Sequence, residues 1–261
     1  MRHTVLSRLA AVVALAAVTA GCAATGHGRT PPGDAAEPAG PAGPLDGLVV
    51  VIDPGHNGGN ADAPDEIAEP VEVGNGEKPC DTTGTETDDG YAEHAFNFDV
   101  ATRLSALLTE SGATVILTRE DDTGVGPCIT ERVAVANDAG ADVSLSIHAD
   151  GGPGTGSGFH IMEPVPIDGH NEDVVVPSHD LAVLLAEAMK ATRMPPADYI
   201  GTDGINPRDD MGGLNLTTVP KVMVECGNMR NADDAALLKD AGFRQELAEA
   251  LAEGVTRFLT S

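Results

Sequence analysis

Three strand-like apolar runs stop on residues able to bind a metal or move a proton. "VVVIDPGH" ends in His56, "DVSLSIHAD" carries His148, and "KVMVECGN" holds Glu225 directly after Val222, Met223 and Val224. Ionised carboxylates are seldom buried unless they are paired or bind a metal, so a glutamate closing an apolar run needs a partner. Glu93 opens another apolar-periodic segment after a long Gly- and Asp-rich stretch. His56, Glu93 and His148 make a His₂Glu set, a donor combination of catalytic zinc sites, which leave a fourth position for water. Glu225 is then the unligated carboxylate able to act as general base. Each residue also has a plain structural use. His56 fits a turn after Asp53-Pro54-Gly55, and His148 fits a hydrogen-bonded core histidine. Glu93 fits a helix N-terminus through the dipole. Glu225 fits an ion pair with Arg132 or Arg208. The coincidence of three strand ends favours a shared site over four separate uses.

These residues meet only if their strands lie side by side, carboxyl ends on one edge, where open α/β sheets build sites. Strand-like runs occupy residues 47–55, 113–119, 141–149, 158–164 and 220–227. Continuous apolar runs suit strands covered on both faces. Helical spacing alternates with them. After Glu93, Phe96, Val100, Leu104, Leu107 and Leu108 share one face, and Gly112 closes the helix. Residues 131–139 form a short helix ended by Gly140. Ser178 is placed to cap a helix bearing Leu181, Leu184, Leu185 and Met189. Phe243, Leu247, Leu251, Val255 and Phe258 recur at helical spacing near the end. The alternation predicts a single α/β domain, a mostly parallel twisted sheet with helices on both faces. Residues 57–90 lack pattern, and loops that long are usually functional or mobile.

The outer parts of the chain read differently. Residues 1–22 resemble a secretory signal: Arg2 and Arg8, then a run of twelve mostly apolar residues, then small residues leading to Cys22. That run is too short to span a bilayer. Small residues before a cysteine resemble a lipoprotein cleavage box, which makes Cys22 a lipidation candidate, with Thr19 where the box usually has an aliphatic residue. Residues 23–45 are rich in Pro, Gly and Ala and read as a tether, leaving the domain at 46–261. The net charge is −26, and losing residues 1–21 removes two arginines and leaves −28. Such a polyanion repels nucleic acid, which is excluded as a partner. An exported chain permits a disulfide. Cys80 and Cys128 both sit in loop-like sequence and are the expected pair, while Cys226 lies in an apolar strand as a buried thiol.

In order along the chain, "VVIDPGHNGGN", "EHAFNFDVATRLSALLTESGATVILTRE", "ERVAVAND", "ADVSLSIHAD" and "PKVMVECGNMRNADDAALL" occur. Together they resemble the zinc-dependent N-acetylmuramoyl-L-alanine amidases of the Amidase_3 family, in particular its small actinobacterial members. The resemblance implies one Zn²⁺ per chain on His56, Glu93 and His148, with Glu225 catalytic. It implies hydrolysis of the amide joining the muramic acid lactyl group to L-alanine, in peptidoglycan or its fragments. His94 follows the ligand glutamate, and "CGNMRN" replaces the commoner Gly-Phe-Leu-Ser-Asn. Arg208 and Asn215, in "NPRDDMGGLN", are candidates for gripping a stem-peptide carboxylate or steadying the loop. The expected protein is a monomer exported to the cell envelope, anchored to the membrane through Cys22 or released. Two other readings stay open: another zinc peptidase of cell-wall peptides, and a wall-binding lipoprotein with structural zinc. A structural site is closed by four protein ligands, whereas this set offers three plus a base.

Overall fold

The computed structural model describes residues 43–261. The expected signal peptide, Cys22 and most of the tether lie outside the described residues. In chain order the elements are β1 (Val49–Pro54), α1 (Pro64–Ile67), β2 (Pro70–Glu72), β3 (Glu77–Pro79), α2 (Glu93–Glu110), β4 (Thr114–Leu117), α3 (Ile129–Ala139) and β5 (Val143–Asp150). There follow β6 (His160–Pro164), α4 (Val175–Met189), β7 (Ile205–Arg208), α5 (Gly212–Asn215), β8 (Lys221–Asn228), α6 (Ala232–Lys239) and α7 (Ala241–Leu259).

The main sheet has six strands in the order β4-β1-β5-β8-β6-β7. The first four run parallel, and β6 pairs antiparallel with β8 and parallel with β7. The carboxyl ends of β1, β5 and β8 therefore share one edge, as the motifs require. Side chains alternate across a strand, and here the alternation separates two chemistries. Val50, Ile52, Leu145, Ile147, Val222 and Val224 enter a large apolar core under α2, α4 and α7. Several intervening positions (Asp53, Ser144, Ser146, Lys221 and Glu225) are also buried but polar, while Val51 and Met223 between them are buried and apolar. Their face is covered by α3 and α5, with only small apolar clusters around Ala136 and Leu214. Helices thus lie on both faces, but the faces are unequal.

Local signals explain most boundaries. The apolar stripe of α2 buries Phe96, Val100, Leu104 and Leu108, and Gly112 takes a φ of 101° just beyond. The helix α3 begins at Ile129, where Glu131 Oε2 accepts the Cys128 N–H at 2.8 Å, and it ends at left-handed Gly140. Ser178 is not a cap. It lies inside α4, fully buried, and its Oγ accepts the Lys221 N–H at 3.0 Å. Its hydroxyl is spent on joining α4 to β8. Residues 57–90 contain the β2–β3 hairpin, which three-residue strands with no apolar alternation did not announce. Leu45, assigned to the tether, is fully buried, and its N–H donates to Ser111 O at 3.0 Å. The domain therefore begins before residue 46. Cys80 and Cys128 are disulfide-bonded, and Cys226 is a free, buried thiol. Among the described residues, no helix is long and apolar enough to cross a membrane.

Candidate active site

Three elements converge on one point. The chain leaves β1 through Gly55 and places His56 at a φ of 58°, a left-handed conformation that a histidine rarely takes. Gly55 is required by its neighbour, since a Cβ there would lie 2.0 Å from the His148 ring. His148 comes from the end of β5, and Glu93 is the first residue of α2. Their donor atoms lie within 4.8 Å of one another. Glu93 Oε1 is 2.9 Å from His148 Nδ1 and 3.3 Å from His56 Nε2. The other oxygen of Glu93 accepts the Thr85 N–H at 2.9 Å, which fixes the carboxylate plane.

A second layer holds this group. His56 Nδ1 sits 3.0 Å from Thr82 O and 3.3 Å from Asp81 Oδ1. Arg132 donates to Asp81 and to Asp53, each at 3.0 Å, and to the carbonyls of Pro54 and His56. This tie runs from β1 through α3 to the loop after the hairpin, and it fixes the His56 ring from behind. Sequence reasoning did not assign Asp81 or Arg132 to the site. The one available signal was an arginine on a short helix beside Val133, which must find acidic partners once buried.

Charge in the cluster follows from these contacts. Burial disfavours the charged forms of His56 and Glu93. Glu93 and Asp81 outweigh that for His56 and push it up to about 10. The two histidines likewise hold Glu93 well below the usual carboxylate range. Two imidazoles and a carboxylate, converging with fixed orientation, are a donor set suited to a borderline divalent cation such as zinc.

Glu225 stands beside this set rather than in it. It is directly across the parallel ladder from His148, is 7% exposed, and its Oε2 has no hydrogen-bond partner. Burial, reinforced by the nearby charges of Glu93 and Asp150, drives its pKa well above the ordinary glutamate value. Neither arginine considered as its partner reaches it. Arg132 is committed to Asp53 and Asp81, and Arg208 forms a two-pronged pair with Asp210 at 2.7 Å on each side. A cavity of about 260 Å³ joins His56, Glu93, His148, Asp150 and Glu225. A second, of about 220 Å³, runs from His56 and His148 beneath Lys78 and Pro79 to Met211.

The remaining candidates fall outside this centre. Asn215 is fully buried, and its amide donates to Val73 O at 3.1 Å and Asp209 O at 2.8 Å, tying the hairpin to the loop before α5. His94 is not part of the His56–Glu93–His148 group; its Nδ1 lies 2.8 Å from Asp122.

Three side chains that could hold a metal ion, with a buried glutamate beside them at the edge of an α/β sheet, are an arrangement able to support metal-assisted hydrolysis. Residues 50–257 match the profile of Amidase_3, N-acetylmuramoyl-L-alanine amidase. The chain is 43% identical over 216 residues to N-acetylmuramoyl-L-alanine amidase Rv3717 of Mycobacterium tuberculosis, covering 82% of this chain and 88% of that protein. The crystal structure of the N-acetylmuramyl-L-alanine amidase Ami1 from Mycobacterium smegmatis superposes with a TM-score of 0.78 at 44% identity, over 82% of this chain and 98% of that one. Ami1 from Mycobacterium abscessus gives 0.77 at 40% identity, over 82% of this chain and all of that one (100%). The chain belongs to the N-acetylmuramoyl-L-alanine amidase family, whose reaction is a hydrolysis of peptidoglycan.

Proposed function

We propose that this chain cleaves the amide between the N-acetylmuramic acid lactyl group and L-alanine, with zinc on His56, Glu93 and His148 and with Glu225 carrying the proton. The observation that supports this most is the pairing of a three-donor group with a buried, unpartnered glutamate on the next strand. When bound there, zinc supplies Lewis acidity, lowering the pKa of a water and polarising the scissile carbonyl. Glu225 accepts the proton of the attacking water and then donates it to the leaving nitrogen of L-alanine. Asp81 and Thr82 keep His56 turned toward Glu93. Arg208 and Asn215 are assigned to holding the loop, because their strongest contacts are internal. Residues 1–22 are assigned to export, with Cys22 as the lipid anchor and the segment after it as a tether. The protein then acts as a monomer outside the cytoplasm, a reading supported by a Staphylococcus aureus relative named as a probable cell wall amidase. Glu225→Gln tests the assignment. Cleavage of a defined muropeptide should fall by about 10²–10⁴-fold while one zinc per chain is retained. Full activity in that variant would remove Glu225 from the mechanism.

A further inference from the structure

The cavity of about 220 Å³ beneath the hairpin has no use in the chemistry so far. It adjoins the reaction cavity, since His56, Thr82, His148, Met211 and Met223 line both. Its floor is the polar face of the sheet, and its other walls come from β3, α3 and the start of α5. Protein interiors hold few voids larger than a water molecule, so a space of this size beside the His56–Glu93–His148 group calls for an occupant.

The charged groups of the wall are engaged with one another. Arg132 donates to Asp53, to Asp81 and to the carbonyls of Pro54, His56 and Pro127. Asp53 also accepts from Thr118 and Ser146. Lys221 Nζ lies 3.1 Å from Ser144 Oγ and 3.9 Å from Asp53. Asp210 holds Arg208 and lies 3.9 Å from Lys78. Ile129, Val133, Met211 and Met223 offer the apolar remainder of the wall. A group entering here is therefore uncharged and apolar.

Two adjacent glycines of α5 bear on how the space is kept. A Cβ on Gly212 would lie 2.6 Å from Val73 and 2.9 Å from Ile129, so this glycine lets the hairpin and α3 close over the cavity. Gly213 has no such need. Its φ is outside the left-handed region, and a Cβ there would meet only Lys221 Cε, at an ordinary 3.5 Å. Glycine is less favourable than alanine inside a helix. The bare backbone at Gly213 thus leaves room in the cavity wall at some cost to α5.

We propose that this cavity is the acyl-side subsite of the reaction, receiving the methyl branch on the lactyl carbon next to the scissile carbonyl. The inference rests on the proposed cleavage of the lactyl–alanine amide. Its direction follows from Glu225. The leaving nitrogen must lie against the group that protonates it, and Glu225 lines the reaction cavity but not this one. The lactyl carbon is then directed away from Glu225. Its ether oxygen carries the glycan and stays in the open, which leaves the methyl group as the branch that enters. A methyl group fills only part of 220 Å³, so a longer branch is accommodated as well.

Defined muropeptides with the natural methyl branch, with no branch, or with an ethyl branch measure the subsite in the zinc-loaded full chain. One methylene in an apolar pocket changes kcat/KM by about 10–200-fold. Removing the branch should lower wild-type kcat/KM by about tenfold or more, while the ethyl substrate stays on the order of the methyl one. Gly213→Val narrows the cavity and should cut the ethyl-to-methyl ratio of kcat/KM by about tenfold. The ratio for L-valine against L-alanine on the amine side should not change. Dissociation constants of the uncleaved substrates with Glu225→Gln should follow the same order of branches, a readout independent of turnover. An ethyl-to-methyl ratio that Gly213→Val leaves alone, an equal shift on the amine side, or affinities that ignore the branch would overturn the subsite. Should Gly213→Val not fold, Gly213→Ala carries the test, because a Cβ there clashes with nothing. It should move the ratio in the same direction with Tm unchanged or raised, and an unmoved ratio would count against the proposal. Absence of amidase product from the wild type would instead sink the assignment of function.

Discussion

Asp53 and Glu225 are buried carboxylates on the same face of the sheet, and their surroundings drive them in opposite directions. Burial raises both. For Glu225 the nearby negative charges add to it. For Asp53 it is overcome by Arg132 and Lys221, with hydrogen bonds from Thr118 and Ser146 at 2.7 Å each. Asp53 is thus held below its unfolded value of about 3.9. The unfolded chain binds more protons than the folded chain once the pH drops below that value. Stability from Asp53 is therefore complete above about pH 4 and is lost as the pH falls toward the folded pKa. Asp53→Asn should cost about 3–5 kcal/mol at neutral pH, by leaving Arg132 underpaired, and should flatten the acid limb. Urea unfolding between pH 2 and 7 reads both, and an unchanged acid slope would contradict the role given to Asp53. His56, His148 and Glu225 were legible at this scale because each ends an apolar run. Asp81 was not, because nothing in "KPCDTT" states that the loop folds back onto His56.

At the scale of elements, the site depends on how closely β1 and β5 approach. Gly55→Ala would put a methyl group into the His148 ring, so the ring or the turn must move. Zinc affinity should fall by about 10–100-fold, the range seen when ligand orientation is lost, and titration against a competing chelator measures it. Wild-type affinity would mean the turn can relax. The disulfide fastens the other side, joining the loop before Asp81 to the start of α3 across a separation of 48 residues. Loop-closure entropy for that span is about 4 kcal/mol. The double variant Cys80→Ser, Cys128→Ser should lose stability by up to about that amount in chemical denaturation, and no loss would show a constrained unfolded state without it. The strands and long helices were legible because their periodicities are strong. The hairpin and β7 were not, since their segments PVE, EKP and INPR each carry proline and charge, whereas the equally short β4 is the apolar run TVIL. Ser178 was misplaced because capping chemistry and a buried bond to Lys221 use the same hydroxyl.

For the whole molecule, the division of labour between the two sheet faces is the organising feature. The face under α2, α4 and α7 holds the core together. The thinner face carries Asp53, Lys221, His160 and Glu225, charge or hydrogen-bonding capacity that an all-apolar interior would not tolerate. The sequence reading of continuous apolar runs located the strands but hid this split, because β8 is buried at every position. The surplus of acidic residues says nothing about the chemistry at the sheet edge, which was read from the strand-end residues and from the family resemblance of the motifs around them. The central claim is that this edge cleaves one particular amide. Mass spectrometry of the products from a defined muropeptide, with the zinc-loaded chain, tests it most directly. A free lactyl carboxyl on the sugar together with a free L-alanine amine on the peptide is the predicted result, and cleavage within the peptide, with the sugar–alanine amide intact, would contradict it.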